Sequence, residues 1–229
     1  MDAHVTPLGD AALLVVFGDG IDPVLNTRVL RLAEDLNRRR ISGVRDIVPA
    51  YASCAVHFDP LRTNRAELDE AVQQAIAASL APAASPSRHF DIPVCYGGLF
   101  GPDLPAVAEF GRCSEREAIE LHAGRPYRVF MIGFLPGFAY VGPVDDRLAV
   151  PRRDSIRALV PAGSVGIAGR QTGVYPIDAP GGWHIIGRTP IALFDAEAVP
   201  PARLSPGDIV QFVPIDPAEY TAHSRSAIG

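Results

Sequence analysis

The sequence predicts an α+β protein in two parts, a mixed α/β domain at residues 1–87 and a β-rich domain at residues 88–229. Only four of the 21 glycines and six of the 22 prolines come before Arg88. Helical and strand periods alternate in the first part, whereas short β-branched or aromatic runs between Gly and Pro fill most of the second. This shift in composition indicates two domains of different class.

The first part follows the order strand, helix, strand, strand, helix, strand. Alternation marks one strand clearly, because Cys54, Val56 and Phe58 fall on one face. Capping residues mark the helix starts. The predicted elements are a strand at 11–17, a helix capped by Asp22, strands at 44–50 and 53–58, a helix capped by Thr63, and a strand at 89–94. This order is the split βαβ, ferredoxin-like pattern.

The second part begins with two short predicted helices. Asp103 is placed to cap the first, and Ser114 with Glu117 forms a capping box for the second. Past Tyr127 the helical period ends, and short strand-like runs follow at the spacing of a barrel or a sandwich. The runs are 128–134, 165–168, 173–177, 183–187, 191–194 and 209–213. From Tyr220 onward we expect a frayed tail.

Composition excludes several classes of protein. Three widely spaced cysteines with no CxxC pair argue against a disulfide framework and against structural zinc. The formal net charge of −5 disfavours nucleic-acid binding. The sequence has no apolar run long enough to span a membrane and no recognisable secretory signal. We therefore expect a cytoplasmic protein with no nucleic-acid or membrane partner.

Lysine is missing from the chain, since all 21 basic residues are arginine. Its absence excludes a Schiff-base lysine, a biotinyl lysine and a P-loop lysine. A bound phosphate or carboxylate must therefore be held by arginine, by backbone amides or by a metal ion.

Arginines are concentrated in one Gly-rich stretch of the second part. Between residues 147 and 188 the only carboxylates are Asp154 and Asp178. Guanidinium groups and bare glycine backbone both suit anions, so we expect a small anionic substrate here. The alternative is that these arginines are solvated or pair with acids elsewhere in the chain. The six arginines are Arg147, Arg152, Arg153, Arg157, Arg170 and Arg188.

Two short motifs in this stretch add candidate ligand contacts. Gln171 and Thr172 lie between two glycines ahead of Tyr175, an arrangement suited to orienting a small polar substrate. A hairpin turn without a ligand has the same composition. Trp183 could cover a ligand, and His184 could act as an acid or base. The structural alternatives are a partly buried core tryptophan and a satisfied strand-edge histidine.

The other candidate features favour structure over chemistry. The segment 134–140 predicts an aromatic-lined bend with a mainly structural role, with Tyr140 as a further candidate. His122 is predicted to interact with the C-terminal end of its helix. The remaining histidines lack metal-ligand spacing, and no nucleophile elbow, Walker motif or GxGxxG loop is present. The residues alone predict an anion-binding β-barrel, no metal site and no named reaction.

Multi-residue motifs run through nearly the whole chain. They are LGD at 8–10, YGG at 96–98, PDL at 102–104, GFLPGF at 133–138, PRR at 151–153, VPAGSVG at 160–166, QTG at 171–173, YP at 175–176, PGGW at 180–183, GRTP at 187–190 and PGD at 206–208. In identity and order these motifs resemble the KipI/PxpB family, also called the B subunit of 5-oxoprolinase or allophanate hydrolase subunit 1-like.

The resemblance implies a fold, partners and a reaction. It implies an N-terminal α/β domain and a C-terminal cyclophilin-like β-barrel. It also implies a complex with two further components, a cyclophilin-like C subunit and an A subunit. Such complexes open the lactam of 5-oxo-L-proline to give L-glutamate at the expense of ATP. ATP and Mg²⁺ are expected in the complex, with the nucleotide in this chain or in a partner.

The resemblance and the residues together give a predicted site. Arg188 and His184 are the predicted catalytic residues, with arginines stabilising the phosphoryl charge. The predicted substrate-binding residues are Arg152, Arg153, Arg157, Gln171, Thr172, Tyr175 and Trp183. Two departures from the family pattern, Ile156 where proline is expected and Pro143 where glycine is expected, put the loop geometry around Arg157 in question.

Other functions remain open at this point. A KipI-like inhibitor of a sensor histidine kinase would use the barrel face to bind protein, with arginines as interface anchors. A role within a urea- or allophanate-metabolising complex is a second alternative, which would need a biotin carrier in a partner because this chain has no lysine. Prolyl isomerase activity is disfavoured, since the signature of true cyclophilins is missing.

Overall fold

The computed structural model describes residues 3–80 and 87–226. The chain divides into two compact units, Met1–Pro86 and Ser87–Gly229. The predicted proline- and alanine-rich connection at 81–86 lies outside the described residues. No helix in the described ranges is both long enough and apolar enough to cross a membrane.

The first unit is an antiparallel sheet with two helices. The sheet order is β1-β2-β4-β3. Its core lies between sheet and helices, where Leu13, Val56 and Leu32 are fully buried. The elements are β1 (His4–Pro7), β2 (Ala12–Val16), α1 (Pro23–Arg39), β3 (Val44–Pro49), β4 (Ser53–Phe58) and α2 (Arg65–Ala78).

Helix caps in this unit match the sequence closely but not fully. Asp22 caps α1, and its carboxylate accepts hydrogen bonds from the backbone N–H groups of Val24 and Leu25. The cap of α2 is Asn64, one residue after the predicted Thr63. Thr63 and Asn64 are both good capping residues, so sequence alone does not separate them.

The ferredoxin-like arrangement is not formed as predicted. The strand predicted at 89–94 extends over His89–Tyr96 (β5) and pairs with strands of the second unit instead of this sheet. The place beside β2 is taken by β1, which was not predicted. β1 has only four residues and ends in proline, so it carries little periodic signal.

The second unit is a closed barrel. Of the two architectures that the sequence allowed, a barrel and a sandwich, the barrel is therefore the one formed. The strand order around it is β10-β7-β6-β13-β5-β12-β9, and β8 pairs with β11 in a separate two-stranded sheet. The elements after β5 are α3 (Leu104–Phe110), α4 (Glu115–Ala123), β6 (Pro126–Ile132), β7 (Ala139–Gly142), a 3₁₀ turn (Asp146–Leu148), β8 (Arg157–Val160), β9 (Ser164–Ala168), β10 (Gln171–Val174), β11 (Ala179–Gly181), β12 (His184–Arg188), β13 (Ile209–Pro214) and α5 (Pro217–Ser226).

Two local predictions in this unit have different outcomes. Ser114 caps α4 as predicted, accepting a hydrogen bond from the backbone N–H of Glu117. The predicted frayed tail is wrong for the described residues, because α5 covers Pro217–Ser226. Asp216 starts this helix by accepting hydrogen bonds from the backbone N–H groups of Ala218 and Glu219, both at 2.8 Å.

Candidate functional site

A small cavity lies on the second unit where five aromatic side chains meet. Its volume is about 210 Å³. We call it the aromatic cavity and define it by Phe134, Phe138, Tyr140, Tyr175 and Trp183, with Arg152, Ile156, Pro180, Gly181 and Gly182 completing the lining. The contributing elements are the bend between β6 and β7, strands β7 and β11, the segment after β10, and the segments that precede β8 and β12.

Phe138 is the centre of the aromatic wall. Its ring centroid lies 4.9 Å from that of Tyr140, 5.2 Å from Tyr175 and 5.4 Å from Trp183, each in an edge-to-face arrangement. Such pairs hold the rings in fixed orientations. Phe134 lies at the mouth and is 62% exposed. Its backbone has φ = 69°, an uncommon conformation for a phenylalanine. The bend therefore supplies two of the five aromatic side chains of the cavity, and its mainly structural role stays a prediction.

Two glycines allow the rings to pack this closely. A Cβ atom on Gly173 would lie 2.8 Å from the carbonyl oxygen of Ala139 and 3.2 Å from the ring of Phe138. A Cβ atom on Gly181 would overlap the hydroxyl of Tyr175. Close approach therefore explains glycine at both positions.

The polar groups of the cavity are two phenols and one guanidinium. Burial raises the pKa of Tyr175, against opposing effects of a hydrogen bond with the Trp183 backbone and of the Arg152 charge. Burial likewise raises the pKa of Tyr140, and Arg152 again opposes it. Both phenols are therefore neutral at physiological pH. Among the described residues, no carboxylate forms an ion pair with Arg152.

Arg153 and Arg157 are held by a carboxylate that sequence reasoning assigned only to helix capping. Asp103 Oδ1 accepts from Arg153 Nη1 at 2.9 Å and from Arg157 Nη2 at 2.7 Å. Asp103 Oδ2 accepts from Arg157 Nη1 at 2.8 Å and from the backbone N–H of Ile185 at 2.7 Å. The side chain makes no capping bond to α3. The alternative of pairing with a distant acid is thus realised for these two arginines.

The charge of Asp103 is maintained by its partners. Burial by itself would raise the pKa of this carboxyl group, but hydrogen bonds from Arg157 and from the Ile185 backbone, together with the charges of Arg157 and Arg153, lower it overall. Asp103 belongs to the PDL motif at 102–104, but the sequence does not reveal its arginine partners, because they lie 50 or more residues away.

His184 lies beside the aromatic cavity rather than in it. Its Nε2–H donates to the carbonyl oxygen of Pro151 at 3.1 Å, and its buried Nδ1 has no hydrogen-bond partner among the described residues. It lines a second opening of about 430 Å³ together with Arg152 and Arg153. Burial lowers the pKa of His184, which favours the neutral ring.

The other predicted site residues lie elsewhere. Gln171 begins β10 directly after the two-residue turn of the β9–β10 hairpin. Thr172 is fully buried, where its hydroxyl donates to the carbonyl of Gly166 and accepts from His122. Arg188 donates through Nε to the carbonyl of Ala162 at 2.8 Å. The aromatic cavity brings together Arg152, Tyr175 and Trp183. Gln171, Thr172 and Arg188 do not line it.

His122 was predicted to interact with the C-terminal end of its helix, but both of its ring nitrogens bond to barrel side chains instead. Its ring is fully buried in the barrel and stacks on Phe212 with centroids 4.6 Å apart. Its Nε2–H donates to Thr172 Oγ1 at 2.9 Å, and its Nδ1 accepts from the hydroxyl of Tyr96 at 2.8 Å. Burial lowers the pKa of His122 to about 3, so the ring is neutral.

The described residues contain no preformed cluster of side chains for a metal ion. Magnesium prefers carboxylate oxygens, and no group of three or more His, Cys, Asp or Glu side chains in residues 3–80 and 87–226 is arranged to hold a metal ion. The buried carboxylate of Asp103 is already bound by Arg153 and Arg157.

Comparison with known proteins places the chain in a family. Residues 3–204 match the family described as carboxyltransferase domain, subdomain C and D. The B subunit of 5-oxoprolinase from Bacillus subtilis is 40% identical over 234 residues, covering 98% of each chain. The B subunit of 5-oxoprolinase from Escherichia coli O157:H7 is 53% identical over 128 residues, covering 56% of this chain and 59% of that protein.

A solved structure agrees with the fold. The crystal structure of TTHA0988 superposes with a TM-score of 0.80 at 36% sequence identity. The alignment covers 90% of this chain but only 40% of the TTHA0988 chain. Because the family match spans most of the sequence and the Bacillus subtilis relative corresponds along almost its whole length, the chain belongs to the carboxyltransferase subdomain C and D family and, within it, to the KipI/PxpB group, the B subunits of 5-oxoprolinase.

Proposed function

We propose that this chain is the B subunit of an ATP-dependent 5-oxoprolinase that converts 5-oxo-L-proline to L-glutamate together with a C subunit and an A subunit. The names of the Bacillus subtilis and Escherichia coli relatives support the activity and imply a complex of several subunits. In this proposal the chain contributes substrate binding and has no turnover by itself.

The observation that carries the proposal is Arg152 at the edge of a small aromatic cavity, where no carboxylate of residues 3–80 and 87–226 pairs with it. 5-Oxoproline is a flat five-membered lactam with one carboxylate. The ring fits against the faces and edges of Phe138, Tyr175 and Trp183, and the carboxylate pairs with Arg152. The volume of about 210 Å³ is below the range of drug-sized sites and suits a ligand this small. The neutral phenol of Tyr175 is a hydrogen-bond donor for the lactam oxygen.

The remaining predicted residues take revised places in this proposal. Arg153 and Arg157 support the cavity through Asp103 and do not bind the substrate directly. Arg188 and His184 keep their proposed catalytic roles toward a phosphoryl group that is supplied by a partner protein. The nucleotide and Mg²⁺ are assigned to that partner in this proposal, in keeping with the lack of a cluster of three or more metal-binding side chains in the described residues.

The experiment that tests the function is reconstitution with homologues of the A and C subunits. We expect 5-oxoproline-dependent ADP release only when this chain is present. ADP release that does not require the chain would refute the proposal. Equal ADP release without 5-oxoproline would do the same.

The Arg152→Ala variant tests the site in that assay. Losing a charge-assisted hydrogen bond costs about 1.5–3 kcal/mol, so the KM for 5-oxoproline should rise roughly ten- to a hundredfold. The matched control is Arg170→Ala, since Arg170 is an exposed arginine in the β9–β10 turn whose partner is the exposed Asp146. A wild-type KM in the Arg152 variant would remove this arginine from the site.

A further inference from the structure

Asp103 connects three separate segments of the second unit. One is the start of α3, to which the residue itself belongs. The second is residues 151–157, which we call the arginine loop, held at two points through Arg153 and Arg157. The third is β12, where the Ile185 backbone N–H donates to the carboxylate. The carboxylate is only 5% exposed, so solvent competes little for these bonds.

Contacts of the same segments hold the chain on both sides of Trp183. On one side, the carbonyl of Gly182 accepts from the backbone N–H of Arg153 at 2.9 Å. On the other side, Ile185 donates its N–H to the Asp103 side chain and accepts from the Asp103 backbone N–H at 2.9 Å. Trp183, which lines the aromatic cavity, is therefore held between the arginine loop and the start of α3.

Arg152 depends on this arrangement too. It lies in the arginine loop between Pro151, whose carbonyl binds His184, and Arg153, whose guanidinium binds Asp103. Because Arg152 forms no ion pair among the described residues, we infer that its position depends on the held backbone on both sides. If the bonds between Asp103 and the arginine loop were lost, the guanidinium of Arg152 would no longer be held at the cavity.

We propose that Asp103 is a positioning residue for the aromatic cavity, which holds Arg152 and Trp183 in place for a small carboxylate ligand. This inference rests on the proposed function for the identity of the ligand. Two guanidinium groups and one amide on the same carboxylate require a charged acceptor with four lone-pair sites. Asparagine has the same shape but lacks both the charge and the second acceptor oxygen, so Asp103→Asn is the direct test.

The first measurement does not involve a ligand. Trypsin cuts this chain only after arginine, and the arginine loop offers Arg152, Arg153 and Arg157. Cleavage of a folded protein follows the population of the locally open form. We expect Asp103→Asn to be cut in this loop at least ~tenfold faster than wild type, with fragments identified by mass spectrometry. The matched control is Glu109→Gln, which removes an exposed carboxylate near the other end of α3 and should leave the rate unchanged.

The second measurement uses Trp183, the single tryptophan of the chain, as a reporter of 5-oxoproline binding. In Asp103→Asn we expect the dissociation constant to rise about tenfold or more. In the reconstituted complex the KM should rise while kcat changes less, a pattern that general loss of folded protein would not produce. Arg157→Lys, which keeps the charge but not the two-point contact, gives the same tests if the asparagine variant does not fold.

The outcomes separate this inference from the proposed function. Unchanged loop cleavage in folded Asp103→Asn or Arg157→Lys would overturn the positioning role, whatever the ligand is. Faster loop cleavage with wild-type 5-oxoproline affinity would overturn it as well. Faster cleavage in a chain whose wild type does not bind 5-oxoproline would uphold the Asp103 contacts and refute only the assignment of the ligand.

Discussion

His122 is a titratable residue that the barrel uses for structure. Both ring nitrogens have partners, Tyr96 and Thr172, and the ring is enclosed by aromatic side chains. A fully paired polar network of this kind specifies one arrangement of α4 against the barrel strands. The buried histidine lowers the free energy of unfolding at acidic pH, because the folded protein keeps the ring neutral where an exposed ring would take up a proton.

The buried neutral ring of His122 predicts that the stability of the protein depends on pH. The folded pKa of His122 is lowered from 6.5 to about 3, so between these values the unfolded chain binds more protons than the folded chain. Stability is therefore lost as the pH falls below 6.5. From pH 7 to pH 5 the contribution of this residue to the free energy of unfolding should fall by about 2 kcal/mol.

Urea unfolding followed by Trp183 fluorescence at both pH values checks this prediction. His122→Gln should be less stable at pH 7 but should lose this part of the pH dependence. His89→Gln, which changes an exposed histidine at the start of β5, serves as the control and should keep it. An identical pH dependence in His122→Gln and wild type would contradict the account.

The arginines show what sequence reasoning reaches at the level of single residues. Their number and their surroundings indicated an anion site, and the structure places Arg152 in a suitable cavity. The same features could not tell Arg152 from Arg153 and Arg157, because that distinction depends on one carboxylate about 50 residues earlier. Local sequence describes what a side chain can bind, whereas the fold decides what is already bound to it.

At the scale of elements, the aromatic cavity depends on how closely β11 approaches the segment after β10. Gly181 in β11 lies against the hydroxyl of Tyr175, and the next residue, Gly182, has more space. For Gly182 the nearest atoms to an added Cβ are at 3.7 and 3.9 Å, which is ordinary contact. A methyl group would therefore clash with Tyr175 at position 181 but would fit at position 182.

A pair of substitutions uses this difference. Gly181→Ala should displace Tyr175 and weaken 5-oxoproline binding about tenfold or more, with a loss of stability of about 1–3 kcal/mol from overpacking. Gly182→Ala should change both quantities little. Titration of the Trp183 fluorescence gives the affinity, and urea unfolding gives the stability. Equal effects of the two substitutions would contradict the proposed geometry.

The elements predicted from sequence were mostly present, but their pairing was not predictable. Strands at β2, β3 and β4 follow from local apolar patterns. The partner of β5 does not, because β5 pairs with β13, more than a hundred residues later. A regular order of helices and strands favoured the ferredoxin-like sheet, and the short β1 took the place that this prediction gave to β5.

At the scale of the whole molecule, each unit has its own core. The first unit buries one apolar cluster between its sheet and helices. The barrel buries a larger one, and the aromatic cavity has a third of its own. All the strands of the barrel come from residues after 87. The barrel therefore has what an independently folding domain requires.

We expect a fragment of residues 87–229 to fold by itself. It should unfold cooperatively in urea, with Trp183 buried in the native state as in the full chain. Circular dichroism and tryptophan fluorescence check this directly. A fragment with an exposed tryptophan and no cooperative transition would show that the barrel needs the first unit in order to fold.

The parallel pairing of β5 with β13 has a consequence for synthesis on the ribosome. β5 emerges roughly 120 residues before its neighbour and pairs with no strand between itself and β12. The barrel can therefore close only when residue 214 has left the exit tunnel, while the first unit can fold much earlier. Until then β5 keeps an open edge that invites pairing with other chains. Stop codons or pauses upstream of β13 should for this reason yield aggregated product rather than a shortened soluble protein.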